Sequence, residues 1–281
     1  MLTKVAHLAD RSVRYLEAGS GRAIVLLHAF PFSAELWLPQ LSRAPRGCRL
    51  VAPDLRGFRG TGPAFEDPGV EGVTMDGYAS DVLALMSHLE IDRAVVVGLS
   101  LGGYVAFAML RRAPARVAGL VLANTRATAD SPEGRANRDR LIDVVKRDGP
   151  GAIASEMVPK LLGATTQREQ PDLAETIGRM IRVNSPAAIA AGLAAMRDRP
   201  DSTALLPSIG CPTTVVTGAE DRTIPAEETA AMHAAIPGAT LVVIPKAGHL
   251  SNVEGTGDFS TVLARWVPEV PRANAQGTSG S

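Results

Sequence analysis

The feature that most constrains how this chain can fold is a glycine-flanked serine, Gly98-Leu99-Ser100-Leu101-Gly102, placed where the hydrophobic period changes. Upstream, Ala94-Val95-Val96-Val97 is a short apolar, β-branched run, the pattern of a strand buried on both faces. Downstream, Gly103 to Arg112 reads as a helix. A turn this abrupt leaves little room for side chains. A Cβ at Gly98 or Gly102 would crowd the chain passing on either side, and the serine between them is forced into a strained backbone conformation. Its hydroxyl then stands exposed at the C-terminal edge of a sheet, beside a helix N-terminus, in the arrangement called a nucleophile elbow. The alternative is a glycine-rich turn with an incidental serine; the strand before it and the helix after it favour the elbow.

A serine hydroxyl is a weak nucleophile. It needs a base, and the base needs an orienting acid. Of the five histidines, His249 in Gly248-His249-Leu250 follows the expected strand Thr240–Ile244, so it falls on the same sheet edge as Ser100. His7 lies in the N-terminal segment, His88 in an expected helix Met75–Leu89 and His233 in an expected helix Ala226–Ala235. Those three read as surface or partly packed residues. The acid follows another apolar run, Thr213–Thr217, which ends at Gly218 and is followed by Glu220 and Asp221. Asp221, three residues past the glycine, is the candidate; spacing alone leaves Glu220 as a rival.

Composition removes several classes of function. Lys plus Arg and Asp plus Glu number 29 each, so there is no net charge, no basic stripe for nucleic acid and no polybasic arm for a membrane. A hydrophobic content of 46% argues against disorder, and no apolar run reaches membrane-spanning length. Met1-Leu2-Thr3-Lys4 opens no signal-peptide core, which gives the cytoplasm as the expected location. Cys48 and Cys211 are expected to be buried, reduced thiols and not a disulfide. No His, Cys or carboxylate set stands at ligand spacing, so neither a metal nor another cofactor is expected. The expected partner is a small molecule, with self-association left open.

At 281 residues one α/β domain can hold the chain. Val13–Glu17, Ile24–Leu27, Arg49–Ala52, Ala94–Val97 and Gly119–Ala123 read as strands. From Arg126 to Arg199 no clear strand appears. Ser131-Pro132-Glu133 and Ser185-Pro186 are helix starts, each a serine N-cap followed by proline in the first turn. Further helical segments fall near Ile153–Leu162, Leu173–Val183 and Ala187–Arg197. A helical insertion between two strands reads as a cap over Ser100; ordinary crossover helices are the alternative. Thr213–Thr217 and Thr240–Ile244 resume the strands and Phe259–Val267 is a last helix. The expected organisation is a mostly parallel, doubly wound α/β core over 1–125 and 200–267 and a helical cap over 126–199. Residues 268–281 read as a flexible tail or cloning scar.

Four stretches carry a resemblance: His28-Ala29-Phe30-Pro31, Asp54-Leu55-Arg56-Gly57-Phe58-Arg59-Gly60, the elbow with Gly103-Tyr104, and Gly248-His249. Over about Val13 to Trp266 the chain resembles α/β-hydrolase-fold serine hydrolases of the esterase, enol-lactonase and cofactor-free perhydrolase type. Its elbow and histidine loop are also similar to those of 3-oxoadipate enol-lactonases. The chain order Ser100, Asp221, His249 is the order of that fold's triad. In such proteins the first stretch is His-Gly-x-Pro and the x amide is an oxyanion donor. The resemblance therefore assigns that role to Phe30, with the Leu101 amide as second donor. Ala29 departs from the family's glycine, which affects the loop geometry but not a backbone donor. His28 is read as a structural histidine, Asp54 and Arg56 as loop braces, and Gly57, Gly60 and Gly62 as turn residues.

The resemblance implies hydrolysis of a small carboxylic ester or lactone through an acyl-enzyme. Enol-lactone hydrolysis and perhydrolysis would use the same residues. From a different class, a slow-turnover ligand receptor keeps the same fold and triad. A serine nucleophile disfavours aspartate-dependent dehalogenation and epoxide hydrolysis. Met, Leu and Ala in 126–199 suggest an apolar pocket, and Arg126, Arg179 or Arg182 would be the contacts for an anionic substrate.

Overall fold

In a computed structural model that describes residues 2–9, 11–59, 70 and 72–266, the apolar runs become the central strands of one eight-stranded sheet. The strands are β1 (Leu2–His7), β2 (Ser12–Gly19), β3 (Arg22–Leu27), β4 (Cys48–Pro53), β5 (Ala94–Leu99), β6 (Val117–Ala123), β7 (Thr213–Gly218) and β8 (Thr240–Ile244). Their order is β1-β2-β4-β3-β5-β6-β7-β8. From β4 to β8 all neighbours are parallel; β2 pairs antiparallel with β4, and β1 with β2. β5 is buried at every position, because parallel strands covered on both faces need continuous apolar runs. The N-terminal segment, given no structure above, is the edge strand β1. Its residues are mostly exposed and only Ala6 is buried, so it carries almost no apolar pattern. β8, the other edge, exposes Leu241 and Val243.

Strand order reverses beside β3: β4 lies on one of its sides, and the chain then crosses back to place β5 on the other. Such a reversal opens a crevice at the carboxyl ends of the two central strands. The loop carrying Phe30 follows β3 and Ser100 follows β5, so both stand at that crevice.

The helices are α1 (Leu38–Leu41), α2 (Met75–His88), α3 (Leu101–Arg112), α4 (Pro132–Leu161), α5 (Ala164–Glu169), α6 (Pro171–Arg182), α7 (Pro186–Arg197), α8 (Ala226–Ala235), α9 (Ser251–Glu254) and α10 (Thr256–Ala264). Helices α4 to α7 occupy the stretch between β6 and β7, and α4 packs on both α6 and α7. Serine caps begin α4 and α7: Ser131 accepts from the Gly134 amide and Ser185 from the Ala188 amide. The first half of α4, opened at the expected Ser131 start, is charge-rich and joins its second half through Gly149, at φ 78°. α5, a single polar helix of six residues, has no counterpart in the expected pattern. The last helix starts and ends earlier than expected, at Thr256 and Ala264. Gly60, Gly62, Val267 and the tail lie outside the described residues. Cys48 is buried but Cys211 only half-buried, and both are free thiols. Among the described residues no helix is long and apolar enough to cross a membrane.

Polar anchors fix the loops after β3 and β4. Asp54 accepts from Arg14 Nη1 at 2.8 Å and from the Ala34 amide at 2.7 Å. Arg56 meets Asp81 through Nε (2.9 Å) and Nη2 (2.7 Å). His28 is fully buried; its Nδ1 donates to the Ala29 carbonyl at 2.9 Å while Nε2 accepts from the Leu55 amide at 3.0 Å. That pairing uses the neutral ring, which must donate at one nitrogen and accept at the other. Burial, opposed by the Ala29 carbonyl, brings the pKa of His28 down to about 4.

Two expectations follow for stability. Between its ordinary pKa and about 4, His28 is protonated in the unfolded chain and neutral in the native one, so acid weakens the fold across that window, by up to roughly 3 kcal/mol. His28→Gln should therefore be less stable than wild type at pH 7, and the gap should shrink or reverse by pH 4 in urea titrations. A gap that stays constant would contradict this. At the elbow, a Cβ on Gly102 would lie 2.2 Å from the Leu27 carbonyl oxygen, and one on Gly98 2.4 Å from the Gly102 oxygen. Gly102→Ala should lose at least about 2 kcal/mol or fail to fold. Gly151→Ala, which meets nothing within 4 Å inside α4, should be neutral or gain up to about 1 kcal/mol.

Candidate active site

Ser100 sits between β5 and α3 at φ 53° and ψ −110°, a region that residues with a Cβ rarely occupy. Its neighbours hold it there. The Ser100 amide donates to the Ala123 carbonyl (2.9 Å), and the Ser100 carbonyl accepts from the Gly103 amide (2.8 Å) and the Thr125 hydroxyl (2.9 Å). The side chain is left pointing away from the turn, and its Oγ lies 2.9 Å from His249 Nε2.

His249 follows β8. Its amide donates to the Leu161 carbonyl at 2.9 Å, tying the histidine loop to the end of α4. The ring is 2% exposed, and Nδ1 lies 3.0 Å from Asp221 Oδ2 and 3.2 Å from Oδ1. A carboxylate facing Nδ1 places the ring proton there and leaves Nε2 as an acceptor for the serine hydroxyl.

Asp221 follows β7. Besides His249, its Oδ1 accepts from the Thr223 (2.8 Å) and Ile224 (3.2 Å) amides, and its Oδ2 from Asn124 Nδ2 (2.8 Å). Burial works to raise its pKa, but His249, Asn124 and the Thr223 amide outweigh it and hold the group below the usual carboxylate range. Glu220 faces elsewhere. It accepts from the Thr165 amide (2.8 Å) and hydroxyl (2.5 Å), at the start of α5.

Asn124 was not singled out in the sequence. It is fully buried directly after β6, at φ 48°, and also donates to the Gly248 carbonyl while Ser251 donates to its Oδ1. It thus links the loops after β6, β7 and β8. The available signal was a polar residue closing the apolar run Gly119–Ala123 on the sheet edge that carries the other candidates, and asparagine tolerates a positive φ.

Phe30 and Leu101 lie on either side of the crevice. Leu101 opens α3, where first-turn amides have no intrahelical partner. Neither its amide nor that of Phe30 has an acceptor among the described residues. Ala29 fits without a neighbouring glycine: its carbonyl accepts from both the Phe32 amide and His28, which fixes the turn.

Ser100, His249 and Phe30 line a cavity of about 220 Å³. Its opposite wall comes from α4 and α7. Gly134, Arg138 and Leu141 contribute one face of the first half of α4, Met157 and Leu161 its second half, and Met196 comes from α7. Arg126 also lines it, whereas Arg179 and Arg182 are exposed on α6 and do not. A second cavity, of about 250 Å³, is lined by Arg14, Asp54 and Arg56, which are paired with Asp54, Arg14 and Asp81 respectively; Ser100, His249 and Asp221 do not line it. His7 and His88 are exposed and His233 half-buried, as read from the sequence. Among the described residues no three His, Cys, Asp or Glu side chains converge in a way that could hold a metal ion.

Residues 22–256 match the family described as alpha/beta hydrolase fold. Among solved structures, a thermophilic esterase of Thermogutta terrifontis is 38% identical, with a TM-score of 0.86 over 95% of this chain and 98% of that one. The enol-lactonase of Burkholderia xenovorans LB400 is 26% identical, with a TM-score of 0.83 over 93% and 98% of the two chains. The AB hydrolase superfamily protein YisY of Bacillus subtilis (strain 168) is 28% identical over 262 residues, 89% of this chain and 93% of that protein.

Proposed function

The chain belongs to the alpha/beta hydrolase fold family, and on that premise we propose that it hydrolyses a small carboxylic ester or lactone through an acyl-enzyme formed on Ser100. The observation that carries this reading is the unbroken hydrogen-bond chain Ser100 Oγ, His249 Nε2, His249 Nδ1, Asp221. The esterase and enol-lactonase among its structural relatives support the same bond type.

The chemistry proceeds in two halves. Neutral His249 takes the Ser100 proton at Nε2 as Oγ attacks the carbonyl carbon. The oxyanion is received by the Phe30 and Leu101 amides, and removing such a donor commonly costs about 3 kcal/mol of barrier. Asp221 holds the tautomer and stabilises the imidazolium, and Asn124 and the Thr223 amide hold Asp221. The imidazolium then gives its proton to the leaving alkoxide, leaving the acyl-serine. Water, deprotonated at Nε2, attacks the acyl carbon and releases the acid and Ser100. In this scheme the helices within 126–199 are a cap that excludes water and shapes the acyl pocket. The core of 1–125 and 200–267 carries the reacting groups.

A fluorophosphonate should label the protein once, at Ser100. Ser100→Ala should abolish labelling and lower kcat/KM on p-nitrophenyl esters or lactones by at least about a thousandfold. Labelling at another serine would overturn the assignment. Wild type that binds a labelled ester tightly without turning it over would be a receptor instead.

Asp221→Asn should lower kcat by about a thousandfold or more by favouring the wrong imidazole tautomer. Glu220→Gln should change it by no more than about threefold, since Glu220 contacts Thr165 and not His249. The reverse ranking, measured on one ester, would contradict this pairing.

A further inference from the structure

The wall of the Ser100 cavity formed by α4 carries more positive than negative charge. Asp130, fully buried, receives three arginines: Arg126 Nη2 (2.8 Å), Arg199 Nη1 (2.8 Å) and Arg138 Nε (3.0 Å). Glu228 is the other carboxylate of this group, and it too is held by Arg126, at 2.9 Å. Farther along α4, Glu156 is shared by Arg140 and by Lys160 (3.0 Å). Of the charged residues that line the cavity, Arg126, Arg138 and Lys160 are cations and Asp130 and Glu156 are carboxylates, so the lining carries one more positive charge than negative.

The arginines differ in what they have left to offer. Arg199 is 3% exposed, stacks 4.1 Å over the Tyr104 ring, and spends Nη1 and Nη2 on the Met196 and Thr128 carbonyls. Arg126 spends Nη1 on Glu228 and Nη2 on Asp130. Arg138 uses only Nε, on Asp130 Oδ2, and lines the cavity with Nη1 and Nη2 unpartnered among the described residues. Its guanidinium is fixed in orientation by Asp130 and still presents two parallel donors. Such a fork matches a carboxylate through a bidentate, charge-assisted pair. Neither Arg179 nor Arg182, the other basic residues considered from the sequence, reaches the cavity.

We propose that Arg138 is a carboxylate-binding residue and that the substrate is an ester or lactone bearing a second, free carboxylate. The proposal rests on the hydrolase reading for the bond cleaved, but the anion site stands on its own geometry. A carboxylate is favoured over a phosphate because one guanidinium fork is available, and the remaining cations of the wall are committed to Asp130, Glu228 and Glu156. The apolar wall residues Leu141, Met157 and Met196 suit the carbon chain between the two acyl groups.

The test has two arms. In the first, p-nitrophenyl monoesters of succinate, glutarate and adipate are compared with the same esters capped as neutral methyl esters. Wild type should favour an anionic ester by about tenfold or more in kcat/KM, and Arg138→Gln should bring that preference down to within about twofold of parity. In the second, glutarate, adipate and inorganic phosphate are titrated calorimetrically into wild type, Arg138→Gln and Arg179→Gln. A dicarboxylate should bind wild type and Arg179→Gln alike and Arg138→Gln at least tenfold more weakly. Thermal melts check folding. Arg138→Lys, which keeps the charge and loses the fork, should bind at least fivefold more weakly and replaces the glutamine variant if that one does not fold. Equal dicarboxylate binding by wild type and the Arg138 variants, or a wild-type preference for neutral esters, overturns the proposal. Phosphate binding tighter than any dicarboxylate overturns the carboxylate class. If no ester is cleaved but a dicarboxylate binds through Arg138, the hydrolytic reading falls and the anion site stands. If neutral esters are cleaved and no dicarboxylate binds, only the anion site falls.

Discussion

The Ser100 backbone is pinned in a conformation that it would not adopt alone. Its amide is taken by Ala123 on β6, and its carbonyl by Gly103 and Thr125, so three segments must be in place before φ can hold at 53°. A residue kept this way stores on the order of 1–3 kcal/mol of strain, which the surrounding packing must exceed. That requirement explains why α3 is buried along most of its length and why Gly102 lies against the Leu27 carbonyl. The β3 loop, the elbow and the end of β6 form one unit. Placing the serine therefore also places the Phe30 and Leu101 amides and Asn124.

The histidine loop depends on a second unit. The His249 amide donates to Leu161, Glu254 accepts from the Gly163 amide at 2.8 Å, and Glu220 accepts from Thr165. The α4–α5 junction is therefore hydrogen-bonded to the loops that follow β7 and β8. A change in the seating of these helices would act directly on His249 and on the loop that carries Asp221. Glu220 bonds to Thr165 of α5 while the adjacent Asp221 bonds to the His249 ring. Adjacent carboxylates thus do separate jobs because one faces the sheet edge and the other faces α5.

The cluster of charge around Asp130 follows from packing constraints. Asp130 is fully buried and would be costly unpaired, so three arginines converge on it. Buried pairs of this kind add little net stability, but they fix guanidinium groups in space. Here Arg138 is held through Nε, its Nη1 and Nη2 have no partner among the described residues, and both halves of α4, joined at Gly149, contribute to the lining of the Ser100 cavity.

Sequence by itself determined the central sheet and the order of the candidate site residues along the chain. β-branched runs such as Ala94–Val97, bounded by turn residues, fit buried parallel strands, and a candidate residue stands within five residues after each of four of them: Phe30 after β3, Ser100 after β5, Asp221 after β7, His249 after β8. The edge strand β1 and the polar helix α5 were not legible, since an edge buries few side chains and so imposes no period. Nor could spacing choose between Asp221 and Glu220, adjacent on one loop. Only the fold turns one toward His249 and the other toward Thr165. Asn124 and Arg138 were likewise hidden. Their partners lie 97 residues away at Asp221 and 8 residues away at Asp130, and what each does depends on which of its donors remain free after packing. Hydrophobic period is a local property written in consecutive residues, whereas the orientation of a side chain is settled by neighbours brought from elsewhere in the chain.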